Sequence, residues 1–296
     1  MKNKYFILFL PIFFISLVSA QECGITNLAS CISESLFNFL LGILNAPIQP
    51  LLDLVYYLLT QPVNIDIFSP IWSIIVYILS LFYGMLLMYV GFRFLISGHS
   101  VEQREKSKAM LANILIMMVL VQSSFYLYSL AIEVTSSVTT AVLNMVQQNF
   151  FLLTIDNIAN IGLQFVFLVP YLTSVLITLI LLTLRYMIVS AGVILFAVGV
   201  FFYFIEPLKE YGKLIINFLF ATMSLTFFYA IVFLTSSKLL ELVAFQNTKI
   251  LIMIGAFSFV NLATIFLILF VVIKSALKVA SPIMQVVSVV GAVAGA

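Results

Sequence analysis

The sequence predicts an all-α protein, a polytopic bundle of about five transmembrane helices that follow a cleaved signal peptide. Of the 296 residues, 64% are hydrophobic and only 8% are charged, whereas a soluble domain carries roughly a quarter charged residues. Long, nearly uncharged runs recur along the chain, and each can cross a hydrocarbon core of about 30 Å. The five runs are residues 70–96, 109–130, 162–205, 214–234 and 250–273.

The first element, residues 1–20, has the organisation of a signal peptide. Lys2 and Lys4 precede an apolar run, and the small residues Ser19 and Ala20 offer a cleavage site for signal peptidase. We therefore expect the mature chain to begin outside the membrane. An uncleaved first span is the alternative.

Both cysteines, Cys23 and Cys31, follow the predicted cleavage site closely. Thiols on the outer side of the membrane can oxidise, so a local disulfide between these residues is expected, with two unpaired thiols as the alternative. No histidine or further cysteine lies near them in the sequence, which argues against a metal site.

Residues 21–67 are predicted to form an external segment. It contains two apolar stretches of about ten residues, which Pro47 and Pro50 interrupt. Neither stretch is long enough to span a bilayer, so we expect two interfacial half-helices. A proline-kinked span is the alternative.

The first span and the loop after it contain a possible packing face and a cluster of basic residues. Gly84, Gly91 and Gly98 recur every seven residues, so they share one face that would let a neighbouring helix approach closely. The excess of basic residues in a short loop places it in the cytoplasm by the positive-inside rule. The residues expected to contact a partner are Arg93, His99, Arg104, Lys106 and Lys108.

The second span is predicted to start inside, with Ser100 as its N-cap, and to continue outside as an amphipathic extension. Its polar residues recur at intervals of three or four, and its apolar residues lie opposite. This extension either lies flat on lipid or lines a water-filled vestibule. The polar stripe consists of Ser129, Glu133, Ser136, Thr140, Asn144 and Gln147.

The third hydrophobic segment carries one charge, Arg185, and permits two topologies. One long tilted helix gives five spans, whereas a tight hairpin that turns at Arg185 gives six. Five spans leave more basic residues in the cytoplasm, together with the C-terminus, and are favoured. Arg185 is then an intramembrane polar residue that faces the bundle or a partner, or reaches the headgroups.

The last predicted span, 250–273, carries Ser258, Asn261 and Thr264 on one face, which indicates a helix contact or a polar path. The transmembrane domain is assigned to residues 68–280. Residues 281–296 form a tail of small, uncharged residues that we expect to be interfacial or disordered.

The sequence lacks the patterns of catalysis. It contains no phosphate-binding glycine loop, no zinc-protease helix and no nucleophile elbow, so we expect no catalytic residue, cofactor or metal. No predicted span has a central carboxylate, which also argues against ion-coupled transport.

The hairpin residues resemble a known family. A span that ends in GFRFLISG (91–98), a short charged loop and a second span from Ala109 to Val121 resemble the TrbL-like polytopic membrane proteins of conjugative type IV secretion systems and their archaeal relatives, the CedA-like DNA-import proteins. The hairpin is also similar to the two-span TrbC-like pilins. This match covers about 60 residues, and a weaker likeness over 68–280 includes Arg185 and Gly212.

The resemblance implies a non-enzymatic component of a DNA-transfer complex in the cytoplasmic membrane. It implies a homo-oligomer in contact with lipid, secretion ATPases and pilin-like membrane proteins, with nucleic acid only as transported cargo. It also implies an external N-terminus and a cytoplasmic C-terminus. The alternatives are a small-solute or ion transporter and a pilus-related structural subunit.

Overall fold

The computed structural model describes residues 28–97, 100–147, 150–153, 158–242, 245 and 248–294. Within these residues all regular secondary structure is helical, which confirms the predicted fold class. Short 3-10 turns at Asp66–Phe68 and Glu206–Leu208 precede the second and sixth helices. The α-helices are α1 (Leu28–Thr60), α2 (Ser69–Ile96), α3 (Val101–Gln122), α4 (Ser124–Leu143), α5 (Ile158–Phe204), α6 (Lys209–Leu239) and α7 (Lys249–Ala294).

Several of these helices are long and apolar enough to cross a membrane, as a multi-pass membrane protein requires. The described residues contain four such regions, and a fifth if α3 and α4 together form one bent span. The signal peptide, Cys23, Gly98 and His99 lie outside the described residues. Cys31 lies in α1. Because the structure does not describe Cys23, the disulfide stays a prediction. The four regions are Asp66–Ile96, Val166–Phe204, Glu206–Leu239 and Lys249–Val271.

The second predicted span and its predicted outer extension are two helices that meet at a bend, which the sequence did not predict. The axes of α3 and α4 differ by 61° across Ser123. The Ser123 hydroxyl donates to the carbonyl of Val119 at 2.8 Å, and the Ser123 N–H donates to that same carbonyl at 3.0 Å. Such bonding of a serine side chain to the preceding turn bends helices. Trp72 Nε1 donates to the Ser124 hydroxyl at 2.9 Å and fixes α2 to this corner.

Helix α1 is continuous through Pro47 and Pro50, so the prediction of two separate half-helices was wrong. A proline removes one backbone donor and strains the preceding turn, but it does not prevent a helix that tertiary contacts hold. Ile48, Val55 and Leu59 are buried in the same core as α5, α6 and α7. That packing keeps the two halves in one helix.

Helix α7 also extends further than the sequence predicted. It continues to Ala294, through most of the 281–296 segment that was expected to be an interfacial or disordered tail. An uncharged apolar segment satisfies its backbone polar groups best as a helix when water is scarce.

Helix α5 is the central element and contacts all six other α-helices. It runs without a break through Arg185, so the alternative of a hairpin that turns there was wrong. Two hydrophobic cores meet along it. Leu182 belongs to the core shared with α1, α4 and α7, whereas Val189 belongs to the core shared with α2 and α3. Arg185 therefore lies at the junction of the two cores.

Helices α5 and α6 make close contacts at glycines. A Cβ atom placed on Gly212 would lie 2.6 Å from the carbonyl oxygen of Gly199, and one on Gly192 would lie 2.7 Å from Leu219 Cδ2. Real Cβ atoms do not tolerate such distances. Gly212 lets the two backbones approach closely, as small residues do between membrane helices, whereas Gly192 makes room for side chains.

The polar residues of the last span make a helix contact, as one of the two predicted readings stated. Asn261 is buried, its Oδ1 accepts from the Thr178 hydroxyl at 2.8 Å, and its Nδ2 donates to the Ser174 carbonyl at 3.0 Å. Thr264 is buried and hydrogen-bonds with Tyr229 of α6. These bonds fix α7 against both α5 and α6.

Candidate functional site

Arg185 joins α5 to α6 through its guanidinium group. Only 7% of the residue is exposed. Its Nε donates to the carbonyl of Thr222 at 3.1 Å, and its Nη2 donates to the carbonyl of Met223 at 3.1 Å and to the Thr226 hydroxyl at 3.4 Å. The predicted intramembrane arginine thus faces the bundle interior and does not reach the headgroups.

The acceptors around Arg185 are all neutral. The ion pairs of Lys106 with Glu102 and of Lys238 with Glu241 lie elsewhere, and the described bonds of Arg185 go to no carboxylate. Peptide dipoles and a hydroxyl group therefore compensate the positive charge, and no carboxylate does. A buried cation without a counter-ion is costly and is found mainly where a charge is needed for function.

A series of hydroxyl groups extends from Arg185 along α4. The Thr139 hydroxyl donates to that of Thr226 at 3.3 Å, which connects α4 to the arginine. The hydroxyls of Ser136 and Thr140 both donate to the carbonyl of Thr60, the last residue of α1. This part of the polar stripe therefore packs against α1, whereas Glu133 and Asn144 of the same stripe are exposed, as are Val134 and Val138 on the apolar side of α4.

The stripe ends at a cavity between α1 and α4 with a mixed polar and apolar lining, which we call the vestibule. It has a volume of about 380 Å³ and also borders α6 and α7 through Phe233 and Phe257. Tyr56 donates from its hydroxyl to Asn144 Oδ1 at 3.1 Å across it. Of the two predicted roles of the stripe, this geometry favours lining a vestibule. Its polar lining is Gln49, Asp53, Tyr56, Asn144 and Gln147.

A much smaller void lies directly beside Arg185. Its volume is about 10 Å³, and Gln61, Ser136 and Thr226 contribute to its lining. A void of this size accommodates about one water molecule. Leu59 lines both this void and the vestibule. Polar space is therefore wide at the vestibule and narrow at the arginine.

The basic residues of the hairpin loop are exposed. Ser100 caps α3 as predicted, since its hydroxyl accepts from the Gln103 N–H at 3.3 Å. Lys106 pairs with Glu102 of its own helix at 2.7 Å, and both side chains are exposed, so this pair adds little stability. Arg93 lies against α3, with its Nη1 3.9 Å from the sulfur of Met110. Arg104 and Lys108 are exposed and accessible to a partner.

Two glycines of the predicted face of α2, Gly84 and Gly91, lie against open space among the residues that the structure describes. A Cβ atom placed on Gly84 or Gly91 would meet nothing within 4 Å. The sequence signal therefore did not identify the glycines that pack inside the protein, which are Gly192, Gly199 and Gly212. These three lie on two different helices, so no single spacing reveals them.

Comparison with known proteins found no related protein or family. No protein-family model, no curated protein and no solved structure matches the chain. Among the described residues, no three His, Cys, Asp or Glu side chains come together in a group that could hold a metal ion. The chain is therefore assigned to no family, and its function is argued from the geometry described above.

Proposed function

We propose that the protein is a non-enzymatic integral membrane component of a conjugative, type IV secretion-like DNA-transfer complex. Several copies would together form part of the channel or platform in the cytoplasmic membrane. The TrbL-like pattern of the α2–α3 hairpin supports this proposal. The observation that carries it is the uncovered glycine face of α2.

Helix α2 is less buried than the other long apolar helices. Only 17% of its most apolar window is buried, against 28% for α7, 44% for α6 and 50% for α5. Large apolar side chains, among them Met85, Met88 and Phe92, are exposed beside the open positions Gly84 and Gly91. A second copy of α2 has the same seven-residue spacing, so two such faces can approach closely. We therefore assign this face to contact between subunits.

The other elements have distinct roles in this proposal. The exposed loop residues Arg104 and Lys108 contact a cytoplasmic partner, which includes the ATPases that supply the energy. Pilin-like membrane proteins are further partners, and nucleic acid is cargo. Arg185 and the vestibule give each subunit polar groups within the membrane, where such groups mark transport paths.

Cysteine cross-linking tests the subunit contact. In a Cys23→Ser, Cys31→Ser background, Met88→Cys and Gly91→Cys are each oxidised in native membranes. We expect covalent dimers from both variants. The matched control is Phe266→Cys, because Phe266 is equally apolar and is 72% exposed on α7. Dimers that form no faster at positions 88 and 91 than at position 266 would contradict the proposal.

The proposed orientation has its own test. Five spans with a cytoplasmic C-terminus require Ser100 and Glu206 inside and Leu242 outside. Single cysteines at these three exposed or partly exposed positions are treated with a membrane-impermeant thiol reagent in intact cells. Only position 242 should react. Reaction at position 206 without reaction at position 242 would require the opposite arrangement of α6.

An anion transporter is the second candidate, and it is favoured by a buried arginine without a carboxylate partner, next to a small void that shares Leu59 with the vestibule. The purified protein in vesicles would then conduct small anions without any partner. Arg185→Met should abolish that flux, whereas Arg104→Met should leave it unchanged. Absence of flux from the isolated wild-type protein would leave the transfer complex as the better proposal.

A further inference from the structure

The surface between α6 and α7 contains a groove with two sections of different chemistry. One section has a volume of about 490 Å³, and all its lining residues are apolar except Ser224, whose hydroxyl donates to the Phe220 carbonyl of its own helix at 2.9 Å. The other section has a volume of about 380 Å³ and is polar at one end. Both sections are lined by Ala221, Leu267 and Phe270, so they form one continuous groove.

The polar end of the groove carries a net positive charge. Lys213 and Lys274 line it together with the amide of Asn217, and Glu210 is the one carboxylate in that lining. The ammonium group of Lys274 lies 5.6 Å from the centre of the Phe270 ring. Two cations on adjacent helices therefore face a shared space that leads directly into an apolar groove.

The dimensions of the groove match one leaflet of a bilayer. Between Lys213 at its lysine end and Phe228 at its apolar end, α6 spans about 22 Å at 1.5 Å per residue, and Glu210 lines the groove one turn beyond Lys213. One leaflet, with its headgroup region, is about 20 to 22 Å thick. The groove can therefore hold a lipid headgroup at its lysine end and an acyl chain along the rest.

We propose that this groove binds an anionic phospholipid. The phosphate lies at Lys213, Asn217 and Lys274, and an acyl chain lies along Ala221 and Leu267. Charge complementarity selects an anionic headgroup over a zwitterionic one, as basic pockets between membrane helices do. Each lysine contributes about a fivefold preference. This site is separate from Arg185 and from the α2 face, and it does not depend on the cargo.

Lipid quenching of a tryptophan in the groove tests the proposal. In the full-length protein, Trp72→Phe removes the only native tryptophan and Phe270→Trp places one where the two sections join. The protein is reconstituted in phosphatidylcholine vesicles that contain increasing fractions of brominated phosphatidylglycerol or brominated phosphatidylcholine. We expect half-maximal quenching at a mole fraction at least about fivefold lower for the anionic lipid.

Lysine variants show whether the lipid preference comes from the groove itself or from the general positive charge of the surface. Lys213→Gln with Lys274→Gln should bring the two half-maximal mole fractions within about twofold of each other, because both headgroup contacts are lost. The matched control is Lys209→Gln. Lys209 lies at the start of α6, its ammonium group is 5.8 Å from the Tyr203 ring, and it does not line the groove. This control should keep the full preference.

Three outcomes would overturn the proposal. Equal quenching of the wild-type reporter by both lipids would show that the groove does not select anionic lipid. A loss of preference in Lys209→Gln as large as in the double variant would assign the effect to surface charge. Loss of the anionic preference on addition of inorganic phosphate, with quenching by the zwitterionic lipid unchanged, would assign the lysine end to free phosphate instead of a lipid headgroup. Unchanged elution of every variant in detergent confirms that the comparison is made on folded protein.

Discussion

Arg185 of α5 donates from Nε to the backbone carbonyl of Thr222 in α6 at 3.1 Å. This bond lies where the two hydrophobic cores of the protein meet. This carbonyl lies inside α6, where it already takes part in the backbone hydrogen bonds of the helix, so the bond from Arg185 is an additional one. The charged side chain of Arg185 thus connects α5 to α6 within one molecule, and it lies next to a void that accommodates about one water molecule.

Two substitutions of Arg185 should distinguish the contribution of its side-chain volume to stability from the contribution of its charge. Arg185→Met fills the same space and leaves the α6 carbonyls bonded within their helix, so the free energy of unfolding should change by no more than about 1 kcal/mol. Arg185→Ala leaves a cavity and should cost about 2 to 4 kcal/mol. Unfolding in mixed micelles with increasing sodium dodecyl sulfate measures both. Equal destabilisation by the two variants would mean that the hydrogen bonds dominate.

The close approach of α5 and α6 should be sensitive to a single methyl group. Gly212→Ala places a Cβ atom 2.6 Å from the Gly199 carbonyl oxygen, so we expect a loss of about 1 to 3 kcal/mol from overpacking. Gly255→Ala is the matched control, since nothing lies within 4 Å of its Cβ position. That variant should be neutral or slightly more stable. Thermal denaturation followed by gel filtration compares them, and equal midpoints would contradict the contact.

The amide of Asn261 should contribute measurably to the position of α7. Asn261→Leu removes its bonds to Thr178 and Ser174, and interhelical bonds of this kind in membranes are worth about 0.6 to 2 kcal/mol. Ser224→Ala is a suitable comparison, because that hydroxyl bonds only to its own helix. The sodium dodecyl sulfate titration should show a clear loss for Asn261→Leu alone. A larger loss at Ser224 would refute the assignment.

Thiol reactivity should reveal whether water reaches the vestibule. Asn144 is exposed and lines the cavity, whereas Ser237 is fully buried and bonds to the backbone N–H of Gln147 at 3.3 Å. In a background without Cys23 and Cys31, Asn144→Cys should react many times faster than Ser237→Cys with a small hydrophilic methanethiosulfonate. Comparable rates at the two positions would show that the vestibule is dry or closed.

Most of the helices could be predicted from the sequence. The positions at which helices bend or continue through prolines could not. Long apolar runs identified α2, α5, α6 and α7, and Ser100 was correctly expected to cap α3. The bend at Ser123 was missed, because a serine in an apolar run is compatible with a straight helix. At Pro47 and Pro50 of α1 the sequence predicted a break that the structure does not have. The helix tolerates both prolines because Ile48 and Val55 are buried in a shared core.

The candidate site was predictable in part. Arg185 was identified because a lone charge in a long apolar run is conspicuous, and the stripe on α4 was identified by its helical spacing. Their connection was not predictable. The hydroxyls of Thr139 and Thr226 meet at 3.3 Å although many residues separate them in the chain, and local sequence carries no information on such a pairing.

The sequence by itself determined that this protein is helical, that it is built for a membrane and where most of its helices begin. Those properties follow from composition and local periodicity. Only the tertiary structure decided that α5 passes unbroken through Arg185, that Gly199 and Gly212 lie in close contact, and that Lys213 and Lys274 share one groove. Each of these depends on which helices lie side by side, because contact between distant residues is set by packing and not by the neighbours of a residue in the chain.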